Sequence, residues 1–261
     1  MVISADGQRA SLRVSRGSQF HLMQVEGGRV SAEIDAAELV EALSFLVTIS
    51  NDRALSSVLT GIHTIIRGGR LRLEAADRSR VGLIELEAST DGEAAVIIPA
   101  VDMLAAAELC DGRVKLRVPT DGRFAEIVSG GLYVRLSTLA GTYPSISQLP
   151  HEFSSSVQVD AANLDRAVRA ANILDTNRVV GIQVEGRELT MSAAGEELGE
   201  FSVRIPVEAD DAFALKVETA SLAACPRLGN TLTIYCNTPT TPVMVVSDRS
   251  WRYWLSPVFP T

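Results

Sequence analysis

The side chains that could do chemistry are few in this chain of 261 residues, and they are scattered. His21, His63 and His151 lie too far apart in sequence to share one helix face. A metal site would need a histidine pair at helical spacing or a matching carboxylate pattern, so no metal is expected. His63 alternates with Ile62 and Thr64 in a strand-like run and reads as part of a solvated sheet face. No G-x-x-x-x-G-K-[ST] loop and no G-x-S-x-G elbow occurs. The Gly-Gly pairs fall between strand-like runs rather than before helices, which makes them turns and not phosphate cradles. Cys110, Cys225 and Cys236 are odd in number and form no C-x-x-C pair. They read as reduced core residues of a cytoplasmic protein. The one dense polar knot is Asp77-Arg78-Ser79-Arg80, between apolar strands. It has the look of a charged hairpin tip, with no nucleophile or base placed beside it. The expectation is a protein with no enzyme activity and no cofactor.

Bulk composition agrees with a folded, non-membrane chain. Hydrophobic residues make up 46% and charged residues 21%, which is the balance of a packed domain rather than a disordered one. No apolar run reaches the roughly 18 residues that span a bilayer. Met1–Gln8 carries no basic-then-apolar signal segment. The net charge of −8 argues against indiscriminate binding to nucleic acid. Contact with DNA would have to come from arginines gathered on one surface.

The elements that must position any site repeat. Ile34-Asp35-Ala36-Ala37-Glu38-Leu39 is echoed by Val159-Asp160-Ala161-Ala162-Asn163-Leu164. Each echo puts an Asp where a helix N-cap belongs, followed by an apolar stripe: Leu39, Leu43 and Leu46 in one, Leu164, Val168 and Ala171 in the other. A hairpin pattern follows in both copies, Gly61–Ile66 with Leu71–Ala76, and Gly181–Val184 with Leu189–Ala194. A second helix is predicted over Val101–Leu109 and over Thr219–Leu228, each ending in turn formers, Asp111-Gly112 and Gly229-Asn230. Strands return at Val114–Val118 and Leu232–Cys236, and each copy closes on Leu132–Ser137 or Trp251–Ser256. The offset is about 120 residues throughout, so two domains are expected, at 30–150 and 151–261. The fold class is α+β, with two helices packed on antiparallel sheet in each domain. Residues 1–29 add a partial third echo or a linker: Asp6-Gly7, Val14-Ser15-Arg16-Gly17 and Phe20-His21-Leu22 resemble Asp121-Gly122, Val128-Ser129-Gly130-Gly131 and Tyr133–Leu136.

These residues resemble a known family. The run Gly61-Ile62 through Leu71–Val81 is similar to the middle domain of the bacterial DNA polymerase III β subunit, the replicative sliding clamp, with its strand, hairpin and "AxDxxRL" pattern. Leu139–Pro150 resembles the family's "G-x-[FY]-P-x-…-L-P" link between its middle and last domains. Asn177–Ile182 through Gly199-Glu200 resembles the opening of the last domain, and Trp251–Pro257 stands where the family has its terminal strand. The order is collinear over about residues 30 to 258. The resemblance implies a DNA-clamp fold, helices lining a cavity with sheets outside, and domains joined edge to edge into six-domain rings. A two-domain chain would reach six only as a trimer. It implies a processivity or tethering role without chemistry, with weak, sequence-independent DNA contact and peptide-bearing partners such as polymerases. A clamp-fold module of a transcription regulator, which does not encircle DNA, is the alternative.

Two residue sets carry that implication. Clamps hold DNA through basic residues on cavity-lining helices, since phosphates dominate such contacts. Asp35–Ile49 and Val101–Leu109 hold only acidic charges, at Asp35, Glu38, Glu41, Asp102 and Glu108. The DNA-facing candidates are therefore Arg166, Arg169, Arg178 and Arg227 in the second copy, with Arg53 and Arg113 flanking the first-copy helices. The family's partner-peptide groove carries over, position by position, to Leu59, Ala76, Asp77, Arg80, Val81, Pro144, Pro239, Trp254, Ser256, Pro257 and Val258. Arg78-Ser79 replaces the family's Gly-His, Ser256 its Met, and Trp254 a small aliphatic. These changes imply a narrowed groove or a different ligand.

Overall fold

The computed structural model describes residues 2–5, 8–11, 29–50, 57–174, 178–195 and 199–258. A short hairpin, β1 (Val2–Ala5) and β2 (Gln8–Ser11), comes first. The residues of the expected third echo, Asp6-Gly7, Val14–Gly17 and Phe20–Leu22, lie outside the described residues, as does Arg53.

From residue 29 onward the chain runs through one series of elements twice. The first pass is β3 (Arg29–Asp35), α1 (Ala36–Leu46), β4 (Gly61–Arg67), β5 (Arg70–Ala76), β6 (Arg80–Glu87), β7 (Ser89–Asp91), β8 (Ala94–Pro99), α2 (Ala100–Ala107), β9 (Arg113–Pro119), β10 (Phe124–Ser129) and β11 (Leu132–Ser137). The second is β12 (Ser155–Asp160), α3 (Ala161–Leu174), β13 (Val179–Glu185), β14 (Glu188–Gly195), β15 (Gly199–Pro206), β16 (Glu208–Ala209), β17 (Phe213–Glu218), α4 (Thr219–Leu222), β18 (Thr231–Cys236), β19 (Val243–Ser247) and β20 (Arg252–Leu255). Each element has its counterpart in order, and every strand pairing between described strands is antiparallel.

Local chemistry explains where the elements start and stop. Asp35 caps α1, its Oδ1 accepting from the Ala37 and Glu38 amides at 2.9 and 3.2 Å. Asp160 does the same for α3 through the Asn163 amide, at 2.9 Å. Leu39, Leu43 and Leu46 are fully buried, as are Leu164 and Ala171, so the stripes read from the sequence face the core. The β4–β5 turn needs left-handed backbone at both Gly68 (φ +57°) and Gly69 (φ +77°), a conformation that costs glycine little. The helix expected over Thr219–Leu228 is broken. It is a single α-turn, α4, followed by a 3-10 turn at Cys225–Arg227. Pro226 explains the break, because it has no amide to donate and its ring would crowd the carbonyl four residues earlier.

The two passes share one sheet. Strand β20 pairs with β6 in the register Arg252↔Leu83, Tyr253↔Gly82, Trp254↔Val81 and Leu255↔Arg80. This joins β16-β12-β18-β19-β20 to β6-β5-β4-β8 as nine continuous strands. The flanking sheets are β11-β10-β9-β3-β7 and β15-β14-β13-β17. The joint is tightly packed. A Cβ on Gly82 would come within 2.6 Å of Ile49 and 2.8 Å of Leu46, so only glycine lets α1 sit this close to β6. Tyr253 from the second pass meets Phe45 from the first edge-on, with ring centroids 5.5 Å apart. Its hydroxyl donates to the Ser221 carbonyl at 3.1 Å. Burial raises the Tyr253 pKa well above that of a free phenol.

Candidate nucleic-acid and partner interface

Helices form a row that crosses the joint. α1 packs on α2, and α3 packs on α4 and the 225–227 turn. That turn and α1 line one cleft between the two passes. The exposed charges on the row change sign along it. Glu38, Glu41, Asp102 and Glu108 stand on α1 and at α2; Arg166, Arg169 and Arg227 stand on α3 and the turn. Arg169 is partly neutralised by Asp165 one helical turn earlier, at 2.8 Å, and Arg166 bonds Asn163. Arg178 is exposed with φ +58°, and its carbonyl accepts the Thr219 amide at 3.0 Å. Arg113 starts β9 beside Asp35 and is engaged by Glu33, donating to its carbonyl at 3.1 Å. The sequence reading missed Arg249. It sits in the β19–β20 turn, stacks over Trp251 at 5.4 Å and pairs with Glu41 of the first pass at 2.5 Å. A signal was available, since the equivalent β10–β11 turn holds Gly130-Gly131 and this one holds Asp248-Arg249-Ser250.

The groove residues fall into two apolar clusters that meet at Val81. Leu59 and Ala76 join Val58, Ile97, Leu139 and Tyr143 in the first. Trp254 joins Leu83, Ile146, Leu149 and Met244 in the second. Asp77 organises the β5–β6 tip. It accepts from the Ser79 and Arg80 amides at 2.8 and 2.7 Å, and it pairs with the Arg80 guanidinium at 2.6 Å. Ser256 donates its amide to the Ser79 carbonyl at 2.8 Å. Pro257 and Val258 then turn away to β17, where Pro257 bridges Val217 and the Val258 amide donates to the Lys216 carbonyl at 2.7 Å. Pro144 is exposed immediately after buried Tyr143, and Pro239 is exposed in the β18–β19 turn.

Trp254 departs from the expected groove wall. Its side chain is buried, its indole N–H donates to the Pro150 carbonyl at 3.1 Å, and His151 meets it edge-on. The indole fills the space that a smaller aliphatic would leave, and the segment around residues 146–151 folds over it. A buried indole needs a partner for its N–H, and the Pro150 carbonyl supplies one.

His63 is also more engaged than a solvated sheet face would be. Its Nδ1 lies 2.9 Å from Glu74 Oε2, and its ring stacks on Tyr143 with centroids 5.0 Å apart. Arg72 holds the other oxygen of Glu74 at 2.6 Å. Glu74 is almost wholly buried, so these two partners offset its desolvation. The group borders a cleft of about 670 Å³ between β8 and the segment from Thr138 to Tyr143. Burial raises the Cys225 and Cys236 pKa values, which disfavours their thiolates. Among the described residues no three His, Cys, Asp or Glu side chains gather as metal ligands, and no helix is long and apolar enough to cross a membrane.

The repeated α+β halves, their edge-to-edge sheet and the row of helices define the DNA sliding-clamp fold. Solved clamps superpose on nearly the whole chain. The DNA polymerase III β subunit of Thermotoga maritima matches with a TM-score of 0.87 at 15% identity, covering 100% of this chain and 74% of that one. The Bacillus subtilis sliding clamp matches at 0.87 and 16%, covering 100% and 72%. In sequence, the beta sliding clamp homolog GriR of Streptomyces muensis is 26% identical over 175 residues, 64% of this chain and 47% of its own length. The beta sliding clamp of Synechococcus elongatus is 22% identical over 219 residues, 79% of this chain and 58% of its own. The chain thus spans about half the length of these curated relatives. No protein-family model matches it. In fold and in sequence the chain is thus similar to the bacterial DNA polymerase III β subunit, the sliding clamp.

Proposed function

We propose that the chain is a non-catalytic clamp module, with domains at 30–150 and 151–261, that tethers peptide-bearing partners such as polymerases to DNA. The observation that carries this reading is the helix row continuing across the β20–β6 joint, with Arg166, Arg169 and Arg227 exposed along it. Arg113 and Arg178 stand at element ends beside the row and extend the basic surface. Encirclement needs more copies. Strands β11 and β15 are the terminal strands of their sheets among the described residues. They are the counterparts of β20 and β6, so the same edge pairing between copies would build a ring of three chains. Partner peptides would meet the apolar cluster around Leu59, Ala76 and Val81, beside the Asp77–Arg80 tip, because Trp254 fills the neighbouring space.

Retention of the protein on nicked circular DNA, compared with the same DNA linearised, tests the reading. Retention on the circle and release on linearisation is expected, because topological linkage needs no strong contact. Binding to linear duplex near physiological salt should be undetectable. Tight, salt-resistant binding of one defined sequence would overturn the reading. The acidic α1 and α2 faces favour a second reading, a clamp-fold scaffold that does not encircle DNA. That scaffold would be a monomer by light scattering at micromolar concentration and would not be retained on circles.

A further inference from the structure

The cleft at the joint holds an arginine that the clamp reading does not use. Its volume is about 430 Å³, and it is lined by Glu41, Ser44 and Phe45 of α1 and by Pro226, Arg227, Gly229, Asn230 and Arg249 of the second pass. Two arginines of the second pass thus line a concave surface with one acidic residue, Glu41, from the first, while the neighbouring Asp248 carboxylate is held by the Asn230 amide at 3.2 Å. Arg249 is positioned by three contacts: its amide donates to Ser247 Oγ at 3.2 Å, its guanidinium lies over Trp251, and Glu41 faces it at 2.5 Å. Both members of that ion pair are about half exposed, at 43% and 50% of their side-chain surface. An exposed pair of this kind is weakly held, so either partner is available to a competing ion.

We infer that this cleft is a seat for one backbone phosphate of duplex DNA, with Arg227 and Arg249 as its ligands and Glu41 as the built-in competitor that keeps the contact weak. The inference rests on the proposal that DNA lies along the helix row. A phosphate has the charge and the acceptor oxygens to take Arg249 from Glu41 and to bridge to Arg227. Displacing Glu41 leaves its carboxylate beside the phosphate, which subtracts from the gain. The device makes contact loose and reversible at the joint, as sliding requires, while Glu41 and Arg249 also tie the two halves together when no DNA is present.

The test is fluorescence anisotropy of a mixed-sequence linear duplex, titrated with the full chain over a range of low salt concentrations. Glu41→Gln should bind about fivefold more tightly than the parent, the factor expected from freeing one surface ion pair. Its salt dependence should steepen by about 0.9 in log–log slope, as one more phosphate is neutralised. Arg249→Ala should weaken the parent about twofold, because it removes a ligand and leaves Glu41 unpaired in the cleft, and it should abolish the gain when combined with Glu41→Gln. An unchanged thermal midpoint in each variant shows that the fold is intact. If Glu41→Gln gains nothing, or if its gain survives Arg249→Ala, the cleft is not a phosphate seat. Arg166→Ala with Arg169→Ala separates the two failures. Weaker binding in that variant, without any Glu41→Gln gain, leaves the helix-row reading standing and overturns the cleft alone. No salt-dependent binding in any variant overturns both.

Discussion

The two halves build the same backbone from the same buried positions, but their first helices, α1 and α3, expose charge of opposite sign. In α1 the buried Leu39, Leu43 and Leu46 alternate with exposed Glu38 and Glu41; in α3 the buried Leu164, Val168 and Ala171 alternate with exposed Arg166 and Arg169. Core identity and surface charge therefore vary independently here. Burial constrains the first, because a cavity or a clash is costly in a close-packed interior. Solvent screens the second, so the fold tolerates either sign. A clamp fold consequently says little about how strongly its helices hold DNA, and the named arginines must carry that argument.

The largest expected effect comes from emptying equivalent core positions. Leu39→Ala and Leu164→Ala should each destabilise the protein by about 2–5 kcal/mol, read from urea unfolding. Because β20 and β6 make one sheet, each should shift a single cooperative transition. A biphasic curve in which only one phase moves would break the comparison, showing two independently folding halves.

Alkaline pH sharpens a difference at the joint. Tyr253 occupies β20 where the first half has Val134 in β11. Its raised pKa means that the folded state keeps a phenolic proton which the unfolded chain gives up near pH 10. This contribution is fully present below about pH 10, and it is lost as the pH rises from there toward the folded-state value. Tyr253→Phe should cost about 1 kcal/mol at neutral pH through the lost bond to the Ser221 carbonyl. It should also flatten the alkaline decline in stability. An identical decline in the variant would assign the sensitivity elsewhere, with the buried Cys225 thiol the next candidate.

The smallest effect concerns the two caps. Asp35→Ala and Asp160→Ala should each lower stability by about 1 kcal/mol, measured as a shift in thermal midpoint. Asp35 should cost more, because it accepts from two amides where Asp160 accepts from one. Equal losses would mean that the second Asp35 bond, at 3.2 Å, adds nothing.

Much of this architecture was legible before folding. The echo of Ile34–Leu39 in Val159–Leu164 marked two copies, and the Asp residues marked two helix starts, because capping and apolar periodicity act within a few residues of chain. The charge contrast between helices was legible for the same reason. The site was less so. Arg249 escaped notice because it lies on no helix and meets Glu41 only across about two hundred residues of chain. Nor does any local pattern show that residues 146–151 fold over Trp254, since that contact joins segments about a hundred residues apart.

What the sequence determined by itself is therefore the repeated α+β pattern, the core stripes, the caps and the sign of charge on each helix, since local propensity and hydrophobic periodicity fix these. Only the tertiary structure decided how the halves join. Gly82 has to meet Tyr253 in register while α1 presses on both, and that contact depends on shape matching between residues distant in the chain. The same closeness decided that Arg249 faces Glu41, that Trp254 is a plug, and that Arg227 shares a cleft with α1. Long-range packing, which no local pattern encodes, set all four.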